Sequence, residues 1–226
     1  YMRKKREFLR QRFFQQINRV RMENLRSRIS PHFTFNVLGR EINQFNGSEE
    51  VKHNLMELVK YLRRSLELTE KLSVSLQDEL DFVRTYIELE RGRVGEDFVA
   101  TITVEDGLDA TRIMIPSMIV QIPVENAIKH GLAGKDGKKE LMVYVSRETN
   151  GIRITFTDNG RGYLPQVVSA TRGTGTGLKV LYQTIQLLNT KNKSDKIRFN
   201  ITNRSDGQTG TEVSVYIPFW FFFVFF

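Results

Sequence analysis

The chain has 226 residues, 40% of them hydrophobic, enough for one large domain or two small ones with a proper core. There is no cysteine, which excludes disulfides and thiolate chemistry and agrees with a reducing compartment. The net charge is +8, but the basic residues gather near the N-terminus (Arg3, Lys4, Lys5, Arg6, Arg10, Arg12) and otherwise scatter. That distribution fits a solvated basic surface, or a segment just inside a membrane, better than a nucleic-acid interface. No apolar run reaches the roughly 20 residues of a spanning helix, and no signal peptide is visible. Any membrane spans of the natural protein are expected outside this chain.

The first third reads as helix. From Phe8 to about Asn46 apolar residues recur at helical spacing, through Leu9, Phe13, Ile17, Val20, Leu25 and Ile29. Pro31 interrupts this run and predicts a kink. A turn over Phe45–Ser48 follows, with Ser48 placed to cap a second helix that carries Val51, Leu55, Leu58, Leu62 and Leu66 on one stripe. Two such helices make a hairpin with a broad apolar face, for which pairing of two chains into a four-helix bundle is the economical solution. Ser75 opens a third helix, with Asp78 as an imperfect capping box and Leu80, Val83 and Ile87 along one side.

The pattern then changes. Phe98, Ala100, Ile102 and Val104 alternate as in a half-buried strand. Pro116 is expected to start an apolar helix running to about His130. Leu141, Val143 and Val145, then Ile152, Ile154 and Phe156, read as two strands around Asn150-Gly151. A helix from about Gly177 to Asn189 and strands over 197–202 and 212–217 complete the set. The class is α+β: a helical hairpin over residues 1–72, a mixed-sheet domain over 73–218, and an aromatic tail over 219–226.

Three segments of the second half carry chemistry together. In VENAIKHG, a helical Val124–Gly131 would put Asn126, Lys129 and His130 on one face. An amide oxygen there could ligate Mg²⁺, and the cations could reach phosphate oxygens. In DNGRG, Asp158 follows a strand, where a carboxylate can accept from an exocyclic amine such as that of adenine, while Gly160 and Gly162 permit close approach. In GTGTGLK, Gly173, Gly175 and Gly177 precede a helix start, a place for anionic phosphate. This last segment is neither a Walker A loop nor a Rossmann fingerprint.

In order and spacing these segments resemble the N, G1 and G2 boxes of the Bergerat-fold ATPases, shared by histidine kinases, gyrase, Hsp90 and MutL. The segment ISPHFTFN around His32 is similar to the PHFLFN box of the LytS-type sensor histidine kinases. LSVSLQDELDFVRTYIELERGR and IPSMIVQIPVENAIKHG also look like that family's linker region and extended N box. Thr34 and Gly39 depart from the usual Leu and Asn. The resemblance implies a helical hairpin joined to a Bergerat α/β sandwich, with ATP and Mg²⁺ as cofactors. It implies Asn126 on Mg²⁺, Lys129 and His130 at the triphosphate, and Asp158 at the adenine amine. Gly160 and Gly162 would shape the adenine pocket, and Gly173, Gly175 and Gly177 would hinge and cap a lid. Thr211 would stand near adenine and Asp158. Glu125 sits beside the Mg²⁺ asparagine with no role assigned.

His32 is the implied phosphoacceptor. Imidazole is mostly neutral and nucleophilic at pH 7. Phe33 stands where many histidine kinases have an acid, and the helical neighbours Arg28, Ile29, Phe35 and Asn36 bring no carboxylate. Transfer would then rest on in-line positioning and charge stabilisation, with Asn36 one turn on to hold the ring. The family implies a homodimer, a response-regulator receiver domain of LytTR type as partner, no nucleic acid, and the cytoplasmic portion of a bacterial inner-membrane protein. A Bergerat ATPase, or a nucleotide-binding signalling module without histidine kinase activity, is the alternative.

Overall fold

A computed structural model describes residues 15, 42, 47–163, 176–190, 195–219 and 221. The chain divides into two compact units, Tyr1–Leu72 and Ser73–Phe226. In the first, helix α1 spans Glu49–Glu70, and the Ser48 hydroxyl caps it by accepting from the Val51 N–H at 3.3 Å. Its N-terminal stripe is uncovered: Val51 is 45% and Leu58 42% exposed, while Val59, Tyr61 and Leu68 are buried. His32, Asn36 and Pro31, with the kink expected there and nearly all of the first helix expected over 8–46, lie outside the described residues.

The second unit begins with a short strand, β1 (Ser73–Ser75), and helix α2 (Leu76–Val94). The Ser75 hydroxyl accepts from the Asp78 N–H at 3.0 Å and donates to the Asp78 carboxylate at 2.8 Å. This is the imperfect capping box made real: the acid meets the capping hydroxyl instead of reaching back to the cap's own N–H. Acidic Asp78 and Glu79 in the first turn and Arg91 and Arg93 in the last suit the helix dipole. Leu76, Leu80, Val83 and Ile87 are buried on one side.

Strand β2 (Phe98–Val104) starts a five-stranded sheet with β4 (Lys139–Glu148), β5 (Gly151–Asp158), β6 (Arg198–Asn203) and β7 (Thr211–Pro218). The spatial order is β2-β4-β5-β7-β6, with β2 parallel to β4 and every other pair antiparallel. Alternation decides the faces. Leu141, Val143, Val145, Ile152, Ile154, Phe156, Val215 and Ile217 are buried on one side, whereas Met142 and Tyr144 face outward. Buried residues of α2, of helix α3 (Gln121–Asn126) and of helix α4 (Thr176–Asn189) complete the core, and α3 touches both α2 and α4. The tail is partly built into this unit: Phe221 is buried, and the Phe219 N–H donates to the Asn150 carbonyl at 2.8 Å.

One expected element is corrected. Pro116 does not start a helix; it ends the short strand β3 (Met114–Pro116), which pairs antiparallel with β1. The chain turns over Ser117–Val120, with Met118 at φ 69°, and α3 begins only at Gln121. Pro123 is accommodated in the first turn, where its missing N–H has no intrahelical partner to lose. From Ala127 to Gly131 the helix widens into a π turn, closed by the Leu132 N–H on the Ala127 carbonyl at 2.8 Å.

Candidate nucleotide site

The site is built around the end of β5. Asp158 is the last residue of that strand, only 4% exposed. Its Oδ1 accepts from the Gly160 N–H at 2.8 Å and the Thr211 N–H at 3.3 Å. Burial pushes its pKa up, and the two N–H donors together with the Thr211 hydroxyl pull it back down. Thr211 is therefore beside Asp158.

Close approach explains the glycines. A Cβ on Gly160 would stand 2.1 Å from the Gly131 carbonyl oxygen, and one on Gly210 would stand 1.9 Å from the Asp158 carbonyl oxygen. Neither position admits a side chain as the backbone lies. Gly131 packs on the Asp158 carboxylate, with a Cβ there only 3.0 Å away. Gly162 has φ 83°, and the Asn203 carboxamide oxygen accepts from the neighbouring Tyr163 N–H at 2.6 Å. Arg161 stitches the same loop to the end of the π turn, donating from its N–H to the Gly131 carbonyl at 3.3 Å and from its guanidinium to the Ala133 carbonyl at 2.7 Å. VENAIKHG and DNGRG thus form one wall.

The π turn changes the cationic part. The expected α-helical relations among Asn126, Lys129 and His130 do not hold from Ala127 onward, because the bonding there is i to i−5. Lys129 is drawn to Glu125, with Nζ 2.8 Å from Oε2 and 5.7 Å above the Tyr86 ring. The other Glu125 oxygen accepts from Gln121 Nε2 at 2.6 Å. His130 is exposed, and partial burial with the Lys129 and Arg161 charges lowers its pKa below 6.5. Gly177 lies inside α4, not before it, and a Cβ there would meet Ile122 of α3 at an ordinary 3.6 Å. Gly173 and Gly175 lie outside the described residues.

One observation fits a Mg-nucleotide. Asn126 Nδ2 is buried and makes no hydrogen bond, whereas buried polar groups normally have a partner. Rotation of that amide presents an oxygen of the kind Mg²⁺ takes. Among the described residues no cluster of three acidic, His or Cys side chains could hold a metal alone.

Sequence reading misses three contributors. Gly210 sits in an unremarked hairpin loop and Gly131 closes a motif without being singled out. Glu79 is a buried acid on α2 whose partners are 39 to 42 residues away, visible in the sequence only as an acid in a helix's first turn.

Comparison with known proteins assigns both parts of the chain. Residues 111–220 match the histidine kinase-, DNA gyrase B-, and HSP90-like ATPase family, and residues 20–98 match the histidine kinase family. The chain thus carries both parts of a histidine kinase core, and its sequence is similar to the LytS-type sensor histidine kinases. Sensor histidine kinase/phosphatase LytS of Staphylococcus aureus is 31% identical over 191 residues, 80% of this chain and 32% of its own length. Sensor histidine kinase YpdA of Escherichia coli is 28% identical over 202 residues, 89% of this chain and 34% of its own. The chain therefore spans about a third of the length of the curated relatives it matches. The solved histidine kinase domain of the Erythrobacter litoralis EL346 blue-light activated kinase aligns over 91% of this chain and 93% of its own, at TM-score 0.49 and 16% identity.

Proposed function

We propose that this chain is the kinase core of a two-component sensor, transferring the γ-phosphoryl group of ATP to His32 and then to an aspartate of a response regulator. The observation that carries the reading is Asp158. It is a buried carboxylate held open by two backbone donors inside a glycine wall, suited to an adenine amine. Asn126 would hold Mg²⁺, which when bound supplies neutralisation of phosphate charge. Lys129 and His130 are near enough in sequence to Asn126 to meet the triphosphate, although Lys129 would first have to leave Glu125. Gly160, Gly162, Gly173, Gly175, Gly177 and Thr211 would shape the adenine pocket and its lid.

The chemistry needs little from the protein beyond placement. A neutral imidazole nitrogen of His32 gives its lone pair to the γ-phosphorus, the bond to the β,γ-bridging oxygen breaks, and ADP departs. The ring proton is lost after attack, so a strong base beside His32 is not required. Asn36 would hold the ring. In the second step the P–N bond breaks as a carboxylate oxygen of the receiver aspartate takes the phosphoryl group. The uncovered stripe of α1 supports a homodimer. Among the described residues no helix is long and apolar enough to cross a membrane. The inner-membrane anchor and the LytTR-type regulator are proposed from the relatives.

The test is to incubate the chain with Mg²⁺ and γ-³²P-labelled ATP and then add a receiver domain. The account expects alkali-stable, acid-labile label that moves to the receiver. Acid-stable label would point to a serine kinase and contradict it.

A further inference from the structure

Two carboxylates are fully or nearly buried among the described residues, Asp158 and Glu79, and the proposed chemistry uses only the first. Glu79 is 0% exposed, on the first turn of α2. Its Oε1 accepts from the Met118 N–H at 2.5 Å, and its Oε2 from the Val120 and Gln121 N–H groups at 3.2 and 3.3 Å. Val120 and Gln121 are the N-cap and first residue of α3, where donors are orphaned and no side chain of the helix's own caps them, and Met118 stands in the turn that leads into it. A buried carboxyl is a poor route to stability, since an apolar replacement often does as well. What Glu79 supplies is geometry: three directional bonds that fix where α3 starts. They also hold Met118 at φ 69°, a left-handed conformation that an ordinary side chain disfavours.

The surrounding bonds extend the same device. Ser73, Val74 and Ser75 pair with Pro116, Ile115 and Met114, and the Leu76 and Gln77 N–H groups donate to the Ile113 and Ala110 carbonyls at 2.7 and 3.0 Å. The first residues of the second unit are thus sewn onto the segment that leads into α3. At the far end of α3 stands Asn126, whose side-chain Nδ2 is buried without a hydrogen-bond partner. Between them, Gln121 links the Glu79 carboxylate, through its N–H, to Glu125, through its side chain.

We propose that Glu79 is a positioning residue of the nucleotide site: it anchors the start of α3 and thereby sets Asn126 for the Mg-triphosphate, leaving the adenine end to Asp158. This rests on the nucleotide reading of the site. It predicts a split that a merely structural residue would not give. Glu79→Gln keeps the shape but turns an amide donor toward backbone donors. Its affinity for Mg-AMP-PNP should fall about tenfold, the equivalent of one ~1.4 kcal/mol interaction. Its affinity for adenosine should change less than twofold.

Titration calorimetry of the whole chain at 15 °C measures both ligands. Leu80→Ala, a buried neighbour on α2, is the control: it should lower Tm comparably and move neither affinity. If Glu79→Gln does not fold, Glu79→Asp, which keeps the charge and shortens the reach, should show the same split. Equal loss for both ligands, or an unchanged Mg-AMP-PNP affinity in a folded variant, overturns the proposal. A wild-type chain that binds neither ligand, or binds AMP-PNP without Mg²⁺ dependence, overturns the nucleotide reading beneath it.

Discussion

Asp158 shows how one residue can trade stability for recognition. Both backbone donors converge on Oδ1, so an asparagine could keep them with its own carboxamide oxygen. Asp158→Asn would then place an NH₂ donor where Oδ2 stands, facing an adenine amine with the wrong polarity. The loss of a hydrogen bond to a charged group, about 1.5–3 kcal/mol, predicts roughly a ten- to hundredfold weaker ATP affinity. Stability should move the other way. Burial raises the folded pKa of Asp158 above its unfolded value. The folded state therefore binds the proton more tightly, and stability is fullest below the unfolded pKa and falls as pH rises through the folded one. The variant carries no such charge. Its Tm at pH 7 should equal or exceed that of the native chain, and its relative advantage should shrink as the pH is lowered toward 4. Thermal unfolding across pH, set beside nucleotide titration, reads both effects.

At the scale of the elements, caps set where the helices begin. Ser75 satisfies an orphan donor of α2 from within the local sequence. Ser75→Ala should cost about 1 kcal/mol, read as a lower urea midpoint with an unchanged slope. That local cap is why the start of α2 is legible in the sequence, as is the start of α1 at Ser48. The strands are legible for a similar reason, since Leu141, Val143 and Val145 carry the period-two code on their own. The start of α3 is not legible. Its cap, Glu79, arrives from another helix, and Pro116 suggests a helix start where the chain forms a strand with β1. Nor is the π turn legible, because a run such as AIKHG has no signature for i to i−5 bonding; the Glu125–Lys129 pair, at i and i+4, by contrast follows ordinary helical spacing. The nucleotide boxes are legible because glycines at close-approach points, such as Gly160, leave a mark that spacing preserves. Gly210 does the same work in a loop that no motif covers.

At the scale of the molecule, the chain divides into two compact units, Tyr1–Leu72 and Ser73–Phe226, and the proposed function gives the phosphoacceptor and self-association to the first and ATP to the second. The exposed Val51 and Leu58 of α1 are apolar side chains on an uncovered stripe. Leu58→Glu should weaken self-association at least tenfold in sedimentation equilibrium while leaving nucleotide affinity unchanged, because Leu58 belongs to the first unit and Asp158 to the second. The central claim is that His32 receives the phosphoryl group. Labelling with γ-³²P ATP, comparing the native chain with a His32→Gln variant shown by titration to bind Mg-ATP normally, tests it most directly. The account predicts that acid-labile label disappears in the variant; undiminished acid-labile label would contradict it.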